Sequence, residues 1–113
     1  MKNELPEAGW KERILFFLGK RTGFLVEGNS MLPTLKDGDA VLINEKTGFE
    51  TGDVVLANHP FKQSVKILKR IGKISADNKF SLTGDNADES SDSRSFGAIP
   101  KSEILGKVTC RLK

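Results

Sequence analysis

Few kinds of residue could do chemistry in this chain, because its 113 residues include one histidine and one cysteine. His59 precedes Pro60 in a predicted surface loop. Cys110 falls on the apolar face of the alternating segment 108–112, which predicts a buried structural thiol rather than a nucleophile. A single histidine excludes sites with two histidine ligands, and we expect neither a metal nor a cofactor. Catalysis would therefore depend on serine, lysine, arginine or the acidic residues.

Ser30 is the candidate nucleophile. It follows Gly28, which permits unusual backbone angles, and it precedes Pro33, which fixes the backbone. A serine between a permissive and a rigid residue is held in one orientation, as a nucleophile must be. An ordinary turn serine fits the same pattern, so the assignment also needs a base that can activate the hydroxyl.

Lys69 is the candidate base. An exposed lysine has a pKa near ~10.4, but burial can lower a lysine pKa by up to ~3–5 units because desolvation disfavours the ammonium form. Residues two apart on a strand share a face, which divides this segment into two sets. One face carries Val65, Ile67, Lys69 and Ile71, and the other, expected toward solvent, carries Lys66, Leu68 and Arg70. The alternative is a Lys69 that extends into solvent from a sheet edge.

One helix and a series of short strands must position these residues. Residues 6–18 are predicted to form the helix, with Pro6 in its first turn. Its apolar positions recur at helical spacing: Trp10, Ile14, Phe17 and Leu18. This stripe either packs on the core or, because basic residues flank it, faces a membrane surface or the substrate.

From Phe24 onward, apolar runs alternate with turn signals, which predicts a mainly β fold. Asp37-Gly38-Asp39 and Thr51-Gly52-Asp53 each precede a β-branched run and look like one local solution used twice. The longest strand is predicted over 64–75, the hairpin connection at 76–79, and a long loop over 84–98. We expect a single domain over 1–113, with an N-terminal helical segment (1–23) and a β core (24–113).

Composition limits the class of protein. Hydrophobic residues make up 37% and charged residues 29%, and the mean hydropathy is -0.33, which excludes a membrane-embedded body. The longest apolar run near the start, residues 14–18, is far shorter than the ~20 residues of a membrane span. With an unpaired cysteine and no signal-peptide cleavage site, these features predict a cytoplasmic protein without a transmembrane anchor. The net charge of +3 is mild and is typical of a solvated surface.

Four segments together resemble the signal peptidase I family of serine proteases. Residues 26–35, followed by Gly38-Asp39, look like the nucleophile box, and residues 51–55 with Pro60 look like the next strand of that family. Residues 67–71 look like the lysine box. The final box is similar to Gly84-Asp85-Asn86, Ser90, Asp92-Ser93-Arg94, Gly97, Ile104 and Gly106-Lys107-Val108. The resemblance covers residues 24–109 and implies the β-fold that signal peptidases share with SOS-response repressors.

The resemblance implies a Ser–Lys dyad. Ser30 would attack the scissile carbonyl, and neutral Lys69 would take its proton and return it to the leaving amine. Ser90 would bind and orient the Lys69 amine, while Asp92 and Arg94 would pair and shape the loop.

The resemblance also implies how the substrate is held. The Ser30 backbone N–H would stabilise the oxyanion. Gly28 stands where some relatives carry a second, hydroxyl donor, and it has no side chain to donate. Val26, Glu27 and Met31 are expected to contact the substrate.

Three differences from ordinary signal peptidases indicate which members of the family this chain resembles most. The chain shows no membrane anchor, no insertion follows the lysine box, and the length is close to the minimum for the fold. A small, soluble member is most similar to the proteases that mature nickel-type superoxide dismutase. That similarity implies a protein substrate, the nickel superoxide dismutase precursor, which would lose its N-terminal extension.

Two other functions compete with this interpretation. A self-cleaving protease of the SOS-repressor kind would share the dyad, but no Ala-Gly or Cys-Gly linker precedes Ser30 and no DNA-binding helix pair fits in residues 1–23. A nucleic-acid-binding β-domain would use a basic stretch that lacks interleaved aromatic residues. That stretch consists of Lys62, Lys66, Lys69, Arg70 and Lys73. We expect no nucleic acid as partner.

Overall fold

A computed structural model of the chain describes residues 5–62, 64–86 and 97–112. They form one helix, α1 (Trp10–Phe17), followed by the strands β1 (Thr22–Leu25), β2 (Ala40–Asn44), β3 (Val54–Asn58), β4 (Lys66–Ile74), β5 (Lys79–Thr83), β6 (Ile99–Pro100) and β7 (Ile104–Arg111). A single turn of 3-10 helix, Lys101–Glu103, separates β6 from β7. The predicted mainly β fold with a short N-terminal helix is confirmed.

The seven described strands form one antiparallel sheet in the order β1-β2-β7-β3-β4-β5-β6. β7, the last of these strands in sequence, lies between β2 and β3. It pairs with both and so joins the two parts of the sheet. β3 contributes alternately to two apolar clusters: Val54 and Leu56 to one, Val55 and Ala57 to the other. The sheet is therefore covered by apolar side chains on both faces, as a continuous apolar run predicts.

The two Gly-Asp turns are built alike. The Asp39 carboxylate accepts the Lys36 N–H at 3.0 Å, and the Asp53 carboxylate accepts the Glu50 N–H at 2.8 Å. Gly38 and Gly52 adopt φ values of 93° and 96°, which glycine reaches without a steric penalty. The prediction of one local solution used twice is confirmed.

Each of these turns also binds a second segment. The turn before β2 exchanges two backbone hydrogen bonds with Val26, and the turn before β3 exchanges two with Ile71. Val26 lies four residues before Ser30, and Ile71 lies two residues after Lys69. The repeated turn therefore fixes the segments that carry both candidate catalytic residues.

The predicted helix over 6–18 is longer than the observed one. Pro6 is not in its first turn: its carbonyl accepts the Arg111 N–H at 2.8 Å, and the Ala8 N–H binds the Arg111 carbonyl at 2.7 Å. The end of β7 offers unpaired backbone groups to these residues, so they extend beside it and α1 begins at Trp10. The expectation that the apolar stripe packs on the core is wrong, because no residue of α1 is buried.

The prediction for β4 is right in part. It is the longest of the described strands, at nine residues, and the hairpin into β5 forms where expected. On the face expected toward solvent, Lys66 is exposed as predicted, but Leu68 is 7% exposed and packs in the apolar cluster around Met31. Within the described ranges, none of the helices has the length and hydropathy of a bilayer-spanning segment.

Candidate active site

Ser30 lies in the loop between β1 and β2 and is half-buried. The loop is held on both sides of it. The Gly28 N–H, at a φ of 83°, binds the Asp37 carboxylate at 2.7 Å, while Met31 and Leu35 are each 1% exposed and anchor the following turn in the core. A serine between a backbone tie and a buried anchor presents its side chain in a restricted set of directions.

Lys69 lies in the middle of the sheet. It pairs with Val55 of β3, and its residue exposure is 3%. Of the charged residues that the structure describes, this one and Asp39 are classed as buried. The predicted burial of Lys69 among aliphatic neighbours is confirmed, and the alternative of a lysine extending into solvent is wrong. Burial in an apolar setting favours the neutral amine over the ammonium ion.

A small cavity of about 100 Å3 joins the two residues, since Ser30 and Lys69 both line it. The remainder of its wall is mostly apolar and comes from the β1 end, the loop and β4: Phe24, Val26, Glu27, Met31, Lys66, Ile67 and Leu68. The three residues predicted to contact substrate are among them. The arrangement can hold a small group between a hydroxyl and a desolvated amine.

Arg70, the neighbour of Lys69, forms an ion pair that the sequence analysis missed. Its guanidinium donates to both Asp85 carboxylate oxygens, at 2.9 and 2.8 Å, and to the Gly52 carbonyl at 2.7 Å. The Thr34 hydroxyl also donates to Asp85. Arg70 was expected to face solvent, and Asp85 was expected only as part of the final box. The sequence feature that could have predicted this ion pair is that Arg70 belongs to the lysine box and Asp85 to the final box.

Each member of this ion pair shifts the pKa of the other in the direction that favours its charged form. Burial raises the pKa of Asp85, but the hydrogen bonds from Arg70 and Thr34 outweigh burial and leave that pKa below its ordinary value. The hydrogen bond with Asp85 raises the pKa of Arg70. Both groups therefore stay charged at neutral pH and tie β4 to the nucleophile loop.

Asn86 extends the tie to the nucleophile itself. Its backbone N–H donates to the Ser30 carbonyl at 2.8 Å, and its side-chain amide donates to the Asn29 carbonyl at 3.1 Å. The segment after β5 thus holds the backbone on both sides of the Ser30 N–H. This contact was also missed, because it joins residues that are far apart in sequence.

Other predicted site residues have different outcomes. Ser90, Asp92 and Arg94 lie outside the described residues, so their supporting roles stay predictions. The Gly28 N–H is taken by Asp37, and the lack of a second oxyanion donor at Gly28 stays a prediction as well.

The lone histidine and cysteine occupy the kinds of place that their sequence context predicted. His59 is half-buried in the β3–β4 loop, where its Nδ1 accepts the N–H groups of Phe61 and Lys62 at 3.1 and 3.2 Å. Burial, with the nearby charge of Lys62, lowers its pKa. Cys110 is buried, and burial raises the pKa of its thiol, which disfavours the reactive thiolate.

The five residues of the basic stretch are not all available at the surface. Lys69 is buried, and the Arg70 side chain is 15% exposed and paired with Asp85. Two of the five basic residues in that stretch are therefore unavailable to phosphate groups. This arrangement argues against a function in nucleic-acid binding.

Comparisons with known proteins point to proteases. Mitochondrial inner membrane protease subunit 1 of Xenopus tropicalis is 30% identical in an alignment that covers 78% of this chain and 66% of that protein. Its counterpart in Mus musculus is 29% identical, with 74% and 64% covered. Signal peptidase IB of Staphylococcus aureus is 28% identical, with 87% of this chain and 82% of that protein covered. The chain spans just under two thirds of the two mitochondrial proteins.

These relatives confirm the predicted resemblance to signal peptidases. A sequence profile of the Peptidase S24-like family matches residues 15–109, a range that includes Ser30, Lys69, the strands β1 to β6 and most of β7. With a match over most of its length and a β-fold to accompany it, the chain belongs to the Peptidase S24-like family.

Proposed function

We propose that this protein is a serine endopeptidase with Ser30 as nucleophile and Lys69 as general base. The observation that carries the proposal is that both residues line one small cavity while Lys69 is 3% exposed. A serine hydroxyl becomes nucleophilic only beside a group that can accept its proton. A desolvated amine is such a group, because burial favours its neutral form. Membership of a peptidase family supports the same chemistry.

The reaction proceeds in two halves. The Ser30 Oγ attacks the carbonyl carbon of the scissile peptide while Lys69 Nζ accepts the hydroxyl proton. The tetrahedral intermediate collapses, the C–N bond breaks, and the Lys69 ammonium returns the proton to the leaving amine. Water then attacks the Ser30 ester with Lys69 again as base, which releases the new carboxyl end and restores the hydroxyl.

The backbone around Ser30 supports the oxyanion. The Ser30 N–H is its donor in this proposal, and such a donor can lower the barrier by about 3–4 kcal/mol. Asn86 and Asp37 tie the chain on either side of that N–H, which keeps its direction fixed. In the same proposal, Ser90 orients the Lys69 amine, and Asp92 and Arg94 pair in the neighbouring loop.

The substrate is a protein precursor that loses an N-terminal extension, and we propose the nickel superoxide dismutase precursor. A cavity of about 100 Å3 has room for a small side chain next to the scissile bond. The short β4–β5 hairpin, without an insertion after the lysine box, supports the likeness to dismutase-maturing proteases. We place the reaction in the cytoplasm, where a free buried thiol such as Cys110 is ordinary.

Co-expression with a nickel superoxide dismutase precursor tests the proposal. We expect a shortened dismutase whose new N-terminus is read by mass spectrometry. Ser30→Ala should abolish the cleavage, whereas Ser102→Ala, at an exposed serine in the 3-10 turn, should leave it unchanged. Cleavage by the Ser30→Ala protein at the wild-type rate would contradict the assignment of the nucleophile.

The purified protein incubated alone tests the competing self-cleaving protease. We expect a single intact chain over time, because nothing in the sequence marks a linker for self-cleavage. Fragments that appear in the wild type but not in Ser30→Ala would replace the precursor proposal with self-cleavage and keep the dyad.

A further inference from the structure

The surface of α1 exposes a continuous apolar stripe. Trp10 is 74% exposed, Ile14 48%, Phe17 90% and Leu18 61%. Their spacing places them on one side of the helix, at about 100° per residue. Soluble monomers rarely leave several large apolar side chains exposed side by side, and such patches mark interaction sites.

The opposite side of α1 is fixed to the sheet by polar contacts. The Glu12 carboxylate accepts two hydrogen bonds from Arg21, at 2.9 and 3.2 Å, and one from the Thr109 hydroxyl at 2.8 Å. These partners follow α1 directly or belong to β7. They hold the helix with its acidic residue and the half-buried Leu15 inward and with its apolar stripe outward, whereas an ordinary surface helix turns its apolar stripe to the core.

Basic residues border the stripe on both sides. At about 100° per residue, Lys11 and Arg13 fall at its two edges, while Glu12 falls on the opposite side. Lys11 and Arg13 are exposed, and so is Lys20 just beyond the helix. Glu12, the acidic residue of α1, has its charge matched by Arg21. The outward side of α1 is therefore apolar in its centre and positive at its rim.

We propose that α1 lies in the plane of an anionic membrane surface, with its stripe in the headgroup region. Large apolar and aromatic side chains bordered by basic ones are the pattern of interfacial helices. Charge complementarity selects the occupant. In a two-fold contact between two copies of this stripe, the basic rims would face each other and repel. An anionic lipid surface matches the apolar centre and the positive rim together.

Trp10 provides the measurement, because it is the single tryptophan of the chain. Its emission is followed with vesicles of phosphatidylcholine alone and of phosphatidylcholine mixed with phosphatidylglycerol. We expect a shift to shorter wavelength with the anionic vesicles that weakens as salt is added. No shift on anionic vesicles, or an equal shift on neutral ones, would overturn the proposal. A shift that grows with protein concentration without vesicles would indicate a second copy instead.

Substitutions in α1 test whether this helix is the part of the protein that binds the vesicles. Phe17→Ser should weaken binding at least about tenfold by removing an apolar side chain. The double change Lys11→Gln and Arg13→Gln should weaken it roughly 25-fold, since each basic residue near an anionic surface strengthens binding about fivefold. Phe61→Ser, at a residue 75% exposed on the β3–β4 loop, is the matched control and should bind as the wild type. Equal loss in Phe61→Ser and Phe17→Ser would move the surface away from α1.

Discussion

Arg70 binds both carboxylate oxygens of Asp85, at 2.9 and 2.8 Å, and so joins the two segments on which the proposed dyad depends. Arg70 follows Lys69 on β4, and Asp85 precedes Asn86, whose N–H binds the Ser30 carbonyl. The ion pair therefore lies between the strand of the base and the backbone of the nucleophile. It positions both without contacting the reacting atoms.

Asp85→Asn should impair catalysis more than its effect on folding explains. The change removes the charge opposite Arg70 and weakens the tie to Thr34, which we expect to lower kcat about tenfold through misplacement of Ser30. Unfolding should be easier by about 2 kcal/mol, since both side chains are largely buried. Cleavage is measured at a temperature well below the unfolding midpoints of the wild type and of Asp85→Asn. A variant that keeps the wild-type kcat would show that the ion pair does not position the nucleophile.

Lys36→Met is the matched control for this experiment. It removes the lysine of another ion pair, with Asp39, but the Lys36 side chain is 71% exposed. Solvent screens such a charge, so the loss should stay below about 1 kcal/mol and kcat should not change. A loss as large as that of Asp85→Asn would indicate that any change near the nucleophile loop disturbs the site.

Asp85 should also make the free energy of unfolding depend on pH in the acidic range. Its folded pKa lies below the ordinary value of 3.8 because the hydrogen bonds from Arg70 and Thr34 outweigh burial. A depressed folded pKa contributes stability that is present above the unfolded pKa and lost as pH falls through the folded one. The wild type should lose stability below about pH 5, and Asp85→Asn should lose less over the same range. Denaturant unfolding at a series of pH values measures the difference, and parallel curves for the two proteins would contradict it.

Local patterns in the sequence predicted much of the site. The period-two alternation placed Lys69 with Ile67 and Ile71, and the structure buries it. The Gly-Asp turns were recognisable because glycine and aspartate each have a specific task in them. Both features depend on neighbours within a few residues, which is the range over which a sequence pattern carries structural information.

The features that the sequence did not predict depend on distant partners. Alternation along β4 places Leu68 on the face opposite Lys69 but does not say whether that face is covered. Leu68 is buried because it packs in the cluster around Met31, which residues distant in sequence form. The helix start was misplaced because β7, at the other end of the chain, captures residues 6–8. The Arg70–Asp85 pair joins two charged segments, each of which fits a solvated surface when considered alone.

Gly106→Ala should destabilise the fold, because β7 passes close to β2 at this position. A Cβ on Gly106 would lie 2.9 Å from the Asn44 carbonyl oxygen and would overlap the Ile43 side chain. Since backbone is involved, the strand must shift, which we expect to cost about 1–3 kcal/mol. Gly48→Ala is the matched control, because its Cβ would meet no atom within 4 Å. Unfolding midpoints that fall equally in both variants would contradict close packing at Gly106.

The rate of cleavage should rise with pH if Lys69 is the base. Only the neutral amine can accept the Ser30 proton, so the rate should increase roughly tenfold per pH unit and level off once the amine is deprotonated. Lys69→Arg should be inactive at every pH, because a guanidinium keeps its charge. Lys73→Arg, at an exposed position on the same strand, should follow the wild-type profile. An active Lys69→Arg protein with an unchanged pH profile would remove Lys69 from the mechanism and leave Ser30 to be activated by another group.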